Sequence, residues 1–489
     1  MVRVKAGSER FAAPARQTAK VVNFDAAKGH RRLKSWQPTG ATINSLLRTH
    51  GDGLLRRCRD AVLNNPYAAA GADAWESQAV GTGIVPAPVL DDAAEKKRVQ
   101  DAWLAWTDEA DADGQSDFYG LQAAVARGVF EAGEMFARVR YRSPGAGLAV
   151  PMQIQLLEAE MLQHSHNTMA GNGNEIRSGI EFSADGRRVA YHFLRQHPGE
   201  DQSMRLDPEL YTRVPADEVA HIFKPTRRGQ IRGVPLIAPS LIRLKILDDY
   251  DDAELERKRV AALFAMFVTT PGDGVLDEEG LDLDDTPLAS LEPGTAQKLL
   301  PGEDVKFSEP ADVGSAYEAF EYRNLLAISI GMGGLPYWMV TGDTGKATYS
   351  SMRGALIDFR RKMESFQHNV LVFQFCRWAW RLWVRQAALA DRIKAPAGGV
   401  IKVRWMPPAW PWVDPEKDLK AEKLALDMRV KSRSEIIEAR GYDPETVDGV
   451  IAQDAQRLAS LGIPDAPSAT PSAAPAPEED EETDDAAAA

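Results

Sequence analysis

The stretch LIRLKILDDYDDAELERKRVAALFAMFV (Leu241–Val268) decides the fold. Pro239-Ser240 opens it, and it contains neither Pro nor Gly. It reads as one helix of roughly 40 Å at about 1.5 Å per residue. Both ends are apolar, but the run from Asp248 to Arg259 is almost entirely charged. A helix that is polar on every side in its middle is not the core of a small domain. It bridges solvent or packs against copies of itself. Glu254 and Lys258, four apart, add about 0.2–0.5 kcal/mol to the helix.

Downstream lies an acidic, turn-rich stretch, Thr269 to Pro310, punctuated by PGDG, EPGT and PGED. DGVLDEEGLDLDD invites a calcium-loop reading, but no start, Asp273 or Asp277, puts Gly at position 6 and Glu at position 12. It reads as a solvated acidic face. A second long helix opens at Ser315-Ala-Tyr-Glu318, a capping box, and runs to Gly331. After a Gly-rich break, a third helix extends from about Tyr349 past Trp383. The joint between them, VTGDTGKATYSSMRGAL (Val340–Leu356), looks like a phosphate cradle. A P-loop needs Gly five residues before its Gly-Lys pair and Ser or Thr after it. Val340 and Ala347 stand there instead, so nucleotide binding is rejected.

Upstream, Asn65-Pro66 reads as an N-cap followed by Pro at the first helical position, with the helix ending near Gly81. Asp91–Asp108 and Phe118–Gly133 read as helices, and Trp103 and Trp106 share a face. Met135–Tyr141, Met152–Leu157 and Val219–Phe223 read as strands, and IEF and VAYHF flank a hairpin loop at Ser183–Arg187. Downstream, Val400–Trp405 alternates like a strand. Helices open at Asp414-Pro415, at the capping box Ser432…Glu435 and at Asp443-Pro444, the last ending at Gly462.

The chain has 489 residues, 44% of them hydrophobic and 26% charged, an ordinary globular composition. No apolar run is long enough to span a bilayer, and no signal peptide is expected at the N-terminus. Cys58 and Cys376 are far apart, which points to a reducing compartment without a disulfide framework. Net charge is −13, yet residues 1–37 carry nine Lys/Arg against two acids. From Pro464 onward there are eight acids and no base. Both ends read as solvated, disordered arms. No nucleophile elbow, zinc motif or dinucleotide fingerprint occurs. His164 and His166 form the closest histidine pair but lack a third ligand. Trp378, Trp380 and Trp383 could stack bases, but at helical spacing they read first as core. No catalytic residue, cofactor or metal is expected.

Five blocks, in order, carry a resemblance. They are RDAVLNNPYAAAGADAWESQAVGTGI (Arg59–Ile84), LEAEML (Leu157–Leu162), PADEVAHIFKPTRRGQIRGVPLIAPSL (Pro215–Leu241), EPGTAQKLLPGEDVKFSEP (Glu292–Pro310) and GLPYWMVTGDTGKATYSSMRGAL (Gly334–Leu356). The chain resembles the lambda-type portal proteins of tailed bacteriophages. The resemblance implies an elongated α+β subunit in a ring of about twelve copies at one capsid vertex. It implies an α/β wing (41–236), a first stem helix (237–268), a small β-containing clip (269–312) and a second stem helix (313–331). A tunnel loop (332–348), a long helix with the return strand of the wing (349–413) and a helical crown (414–462) follow. The basic arm (1–40) and acidic tail (463–489) lie outside it.

Implied partners are other copies of the chain, double-stranded DNA passing without sequence preference, the terminase large subunit, the major capsid protein and a head-completion or adaptor protein. No membrane is implied. The implied location is the virion vertex, with host cytoplasm during assembly. Gly342, Asp343, Thr344, Gly345, Lys346 and Thr348 fall in the tunnel loop. Asp277, Asp282, Asp284 and Asp285 fall in the clip, where partners would dock. A duplex must slide, so a channel loop should bind phosphate weakly, and Lys346 with Asp343 beside it fits that demand. Two other readings stay open from the residues alone: a non-channel minor capsid or scaffold protein, and a DNA-processing nuclease with dispersed carboxylates.

Overall fold

The computed structural model describes Ser35 and residues 37–200, 210–263, 267–269, 304–306, 316–396, 398–411 and 414–463. Helix and strand are mixed throughout. Helix α1 (Ile43–Asn64) turns into α2 (Pro66–Val80) at Asn65, whose carboxamide oxygen accepts from the N–H groups of Tyr67 and Ala68. Strand β1 (Val85–Pro88) follows, then α3 (Ala93–Thr107), capped by Asp92, and α4 (Phe118–Glu131), capped by Asp117. Each cap is a short polar side chain that satisfies N–H groups a first helical turn leaves free.

Next come β2 (Glu134–Tyr141), β3 (Met152–Leu157), β4 (Thr168–Met169), β5 (Glu175–Arg177), β6 (Ile180–Phe182), β7 (Arg188–Leu194), β8 (Tyr211–Pro215) and β9 (Val219–Phe223). They form two antiparallel sheets, β3-β2-β9 and the meander β4-β5-β6-β7-β8. Helix α5 (Leu241–Leu263) leads to β10 (Phe267–Thr269), which pairs antiparallel with β11 (Asp304–Lys306). Helix α6 (Ala316–Gly331) returns alongside α5 and is followed by α7 (Tyr337–Thr341) and α8 (Tyr349–Phe366). A π-helical segment, Gln367–Cys376, joins α8 to α9 (Arg377–Leu389). Strand β12 (Val403–Met406) pairs antiparallel with β1, and α10 (Pro415–Asp427), α11 (Arg433–Ala439) and α12 (Pro444–Ser460) complete the described chain.

One large core joins α2, α3, α4, α8, α9 and the three-stranded sheet. Trp75, Trp103, Trp106, Phe118, Phe130, Trp380 and Trp383 are buried in it, each ring within 7 Å of another. Full burial of a large apolar side chain contributes about 1.5–3 kcal/mol. Trp378, Trp380 and Trp383 are therefore core side chains. A second core, Phe136, Ile180, Tyr191, Phe193 and Val214, lies between the two sheets.

Between these cores sits a buried ionic cluster. The Glu134 carboxylate accepts from the Arg232 guanidinium (Nε, 2.7 Å), the His221 ring (Nε2, 2.9 Å) and the Gly233 N–H (2.7 Å). Arg232 also donates to the carbonyls of Ser178 and Ala159, tying the meander to the segment before α5. Burial opposes the charge on Glu134, but Arg232 and His221 outweigh it and hold the carboxyl well below its usual range. Burial pushes His221 down to about 4. His221 is thus neutral near pH 7, and to bond Glu134 its Nε2 must carry the proton.

Several expected elements differ. The helix read over Leu241–Val268 does not reach its expected end: α5 is described over Leu241–Leu263, and Phe267–Thr269 is a strand. Residues 238–240 form a 3-10 turn before α5. The expected strand Val400–Trp405 is shifted to Val403–Met406 by its register with Val85–Pro88. The long third helix is not uniform: ten residues in its middle wind as π-helix. There the Gln374 side chain behaves like a peptide group. Its Oε1 accepts from the Phe223 N–H (2.9 Å) and its Nε2 donates to the Phe223 carbonyl (3.0 Å), covering the free edge of β9.

Candidate functional site

The joint between α6 and α8 holds the candidate loop. The expected open stretch contains the short helix α7, which packs Tyr337, Met339 and Val340 against the core and leaves Gly342–Lys346 and Thr348 exposed. Gly342 ends α7 with φ +72, and its N–H donates to the Trp338 carbonyl at 2.9 Å. That left-handed conformation is one glycine adopts without strain. Asp343 then folds the chain back: its Oδ1 accepts from the Gly345 N–H (2.8 Å), and its own N–H donates to Thr341 Oγ1 (3.2 Å). The Ala347 N–H donates to the Thr344 carbonyl at 3.0 Å. Thr348 caps α8 in a reciprocal box with Ser351.

Lys346 does not pair with its neighbour Asp343. It crosses to α6, where Nζ lies 2.7 Å from Glu318 Oε1 and 4.5 Å from the centre of the Tyr322 ring. The Glu318 hydrogen bond raises the Lys346 pKa. Tyr322 meets Tyr337 edge-on at 4.9 Å, and the Tyr337 hydroxyl reaches Asp343 Oδ2 at 3.5 Å. Burial, aided by Asp343 and Glu321, raises the Tyr337 pKa. The loop is thus tethered to the helix before it through one lysine and a pair of tyrosines.

A phosphate cradle needs several backbone N–H groups converging on one anion, with a free lysine beside them. Here the Gly345 and Ala347 N–H groups are spent within the loop, and Lys346 is engaged by Glu318. The arrangement suits a small surface hairpin, not a nucleotide site. Sequence reasoning placed Gly342, Asp343, Thr344, Gly345, Lys346 and Thr348 together but missed Glu318, Tyr322 and Tyr337. Glu318 and Tyr322 are four apart and share a helical face, yet nothing local names Lys346 as their partner. Asp277, Asp282, Asp284 and Asp285 lie outside the described residues.

The other sequence candidates separate. His164 is buried and its Nδ1 pairs with Asp52 at 2.9 Å, whereas the His166 ring lies tilted against Tyr211, with centroids 4.0 Å apart. Cys58 and Cys376 are free and buried, and burial raises both thiols. Among the described residues, Glu158, Glu160 and His197 come close enough to hold a cation. The Arg59 guanidinium already bonds both of those carboxylates (3.2 Å each) and Glu131, supplying the positive charge itself.

A chain from the neck of an empty gene transfer agent particle is similar in structure, with TM-score 0.47 and 14% identity, covering 84% of this chain and 96% of that one. A "probable portal protein" of Halomonas phage phiHAP-1 is 26% identical, over 93% of this chain and 90% of its own length. Portal protein B of Escherichia phage lambda is 21% identical, over 66% of this chain and 67% of its own. The model of the family "Phage portal protein, lambda family" matches residues 29–367, which include α1 to α8 and the whole candidate loop. The chain belongs to the lambda family of phage portal proteins.

Proposed function

We propose that this chain assembles as a closed ring, of about twelve copies, at one vertex of the capsid. As a portal protein it is a structural component of the virion and not an enzyme. In this reading the ring is the channel through which terminase drives double-stranded DNA during packaging and through which DNA leaves at ejection. The assembled ring is also the attachment point for the head-completion and tail proteins. α5 and α6 are the two stem helices, residues 269–312 the clip and 414–462 the crown. The loop Gly342–Thr348 faces the channel as an adjustable constriction.

The observation that carries this reading is the family match across residues 29–367, which takes in both long helices and the loop between α6 and α8. The loop supports it independently: its one lysine is paired, it offers no anion cradle, and its residues are exposed. A sliding duplex requires weak phosphate contact, because neutralising many phosphates around a ring would hold the DNA in place. A net charge of −13 per chain also disfavours non-specific DNA binding.

Negative-stain imaging of the purified chain tests the assembly, and a monodisperse monomer at high concentration refutes it. Replacing Gly342 and Gly345 with Pro tests the loop. The expected outcome is an intact ring with less DNA packaged or retained per head. Reversing Asp282, Asp284 and Asp285 to Lys tests the clip: terminase pull-down at physiological salt should weaken while the ring persists.

A further inference from the structure

Helices α5 and α6 lie antiparallel in the chain. Ser240, at the start of α5, donates its hydroxyl to the Ile328 carbonyl near the end of α6 (2.7 Å). Further along, the Tyr317 hydroxyl donates to Asp251 Oδ1 (2.8 Å). Leu244 and Leu247 on one helix and Leu325 and Ile328 on the other are buried. At 100° per residue the opposite faces can be read directly. On α5, Ile242, Ile246, Asp249 and Ala253 form one exposed stripe; on α6, Phe320, Arg323, Ala327 and Ile330 form another. Ile242 is 76% exposed, Ile246 62%, Ile330 64% and Phe320 47%. Large aliphatic side chains this exposed, in rows on two helices of one hairpin, are unusual for a free surface.

The two stripes complement each other. Read antiparallel, Ile242 faces Ile330, Ile246 faces Ala327, Asp249 faces Arg323 and Ala253 faces Phe320. Large meets small at two positions, apolar meets apolar at a third, and acid meets base at the fourth. Both stripes span about 15–17 Å at 1.5 Å per residue. Read parallel, Ile246 would face Arg323 and Asp249 would lose its counter-charge. Arg323 makes no ion pair among the described residues, whereas Asp249 is held only by Lys245 on its own helix (2.6 Å). Beside the α5 stripe, a groove of about 620 Å³ runs between α1 and α5, lined by Ala61, Asn64, Leu241, Ile242 and Ile246.

We propose that the α6 stripe of one copy seats on the α5 stripe and the α1–α5 groove of the next, and that this contact closes the ring. This rests on the ring assembly proposed above and names its surface. Rotation about an axis running along the helices preserves their direction, so the neighbour's α6 remains antiparallel to α5, as the pairing requires. The contact joins two different faces, so it repeats from copy to copy until the rotation closes. Occupants of other chemistry fit less well, because a foreign helix would have to reproduce this order of large, small and charged positions.

The full-length chain tests it by light scattering and by cross-linking. Asp249→Arg and Arg323→Asp, made singly, should each shift the ring to smaller species, and the two together should restore it. Circular dichroism and thermal melting of the single variants show that they fold. Ile246→Cys with Ala327→Cys, oxidised, should give an intermolecular ladder on a non-reducing gel, because Cys58 and Cys376 are buried. If the wild-type chain forms rings while the single charge variants leave them unchanged and no ladder appears, the surface is wrong and the ring reading stands. If the wild-type chain forms no ring at all, both fall.

Discussion

Lys346 Nζ lies 2.7 Å from Glu318 Oε1, and this ion pair fastens the exposed loop Gly342–Thr348 to the first turn of α6. Both partners are solvent-exposed, so the pair is a light clasp that salt screens. Lys346→Ala is expected to speed amide exchange at residues 343–347 roughly two- to fivefold. Exchange in α8 should stay unchanged, because Thr348 and Ser351 cap that helix without Lys346. Hydrogen exchange with mass spectrometry on the assembled protein reads both. An equal effect at 150 mM and 1 M salt would rule out a clasp of this kind.

The Glu134–Arg232–His221 cluster sets an acid limit on stability. His221 has its folded pKa depressed to about 4, below the unfolded value near 6.5. The unfolded chain therefore binds more protons in that window, and stability falls as pH drops from about 6.5 toward 4. Glu134, also depressed, adds a further loss below its unfolded value of 4.5. Melting temperature across pH 7 to 4 measures the slope, and His221→Gln, which keeps a donor for Glu134, should flatten it above pH 4.5. Arg232→Met leaves a buried carboxylate without its cation and should cost about 3–5 kcal/mol.

Two glycines let the backbone cross itself at the entrance to that cluster. Gly133, with φ +87, joins α4 to β2, and a Cβ there would lie 2.4 Å from the Val234 carbonyl carbon. A Cβ on Gly233 would lie 2.1 Å from the Gly133 carbonyl oxygen. Neither obstacle is the mobile end of a side chain. Gly133→Ala and Gly233→Ala should each destabilise by more than about 2 kcal/mol in denaturant titration, with no loss of secondary structure at low denaturant.

Gln374 offers a test of the π-helical segment. It satisfies both polar groups of Phe223 on the edge of β9. Gln374→Leu keeps the volume and strands the half-buried N–H and C=O, at a cost of about 1–3 kcal/mol. Gln374→Glu keeps the acceptor but loses the donor, and should fall between the two in thermal melts.

What could be read from the residues follows the range of the forces involved. Asn65-Pro66, Ser432 with Glu435 and Asp443-Pro444 mark helix starts because capping acts over two or three residues. The meander at Ser183–Arg187 was legible for the same reason. The π-helical turn was not, because no residue within it signals the change of winding locally, and the partner of its Gln374, Phe223 on β9, lies 151 positions away. Helix α7 was hidden between Pro336 and Gly342, which read as loop by composition. The partner of Lys346 was missed because Asp343 is nearer in sequence, whereas the fold brings Glu318 nearer in space. At Val268 an apolar run carried the helical reading on, and pairing with Val305 made it a strand.

Lys96 and Asp443 join two parts of the chain 347 residues apart. Lys96 Nζ, buried on α3, lies 3.2 Å from both Asp443 oxygens and 2.7 Å from Glu445. Asp443 also caps α12 through the Thr446 N–H. None of α10, α11 and α12 buries a residue, so this polar latch, with the Arg404–Glu438 pair, holds helices that little apolar packing secures. Losing the lysine leaves a buried carboxylate uncompensated. Lys96→Met should therefore loosen residues 415–460 while the Trp103–Trp383 core stays folded. Limited proteolysis should cut α10–α12 at least about tenfold faster, with the main melting transition shifted little. If the main transition falls and the C-terminal helices are cut no faster, the latch instead belongs to the core's own stability.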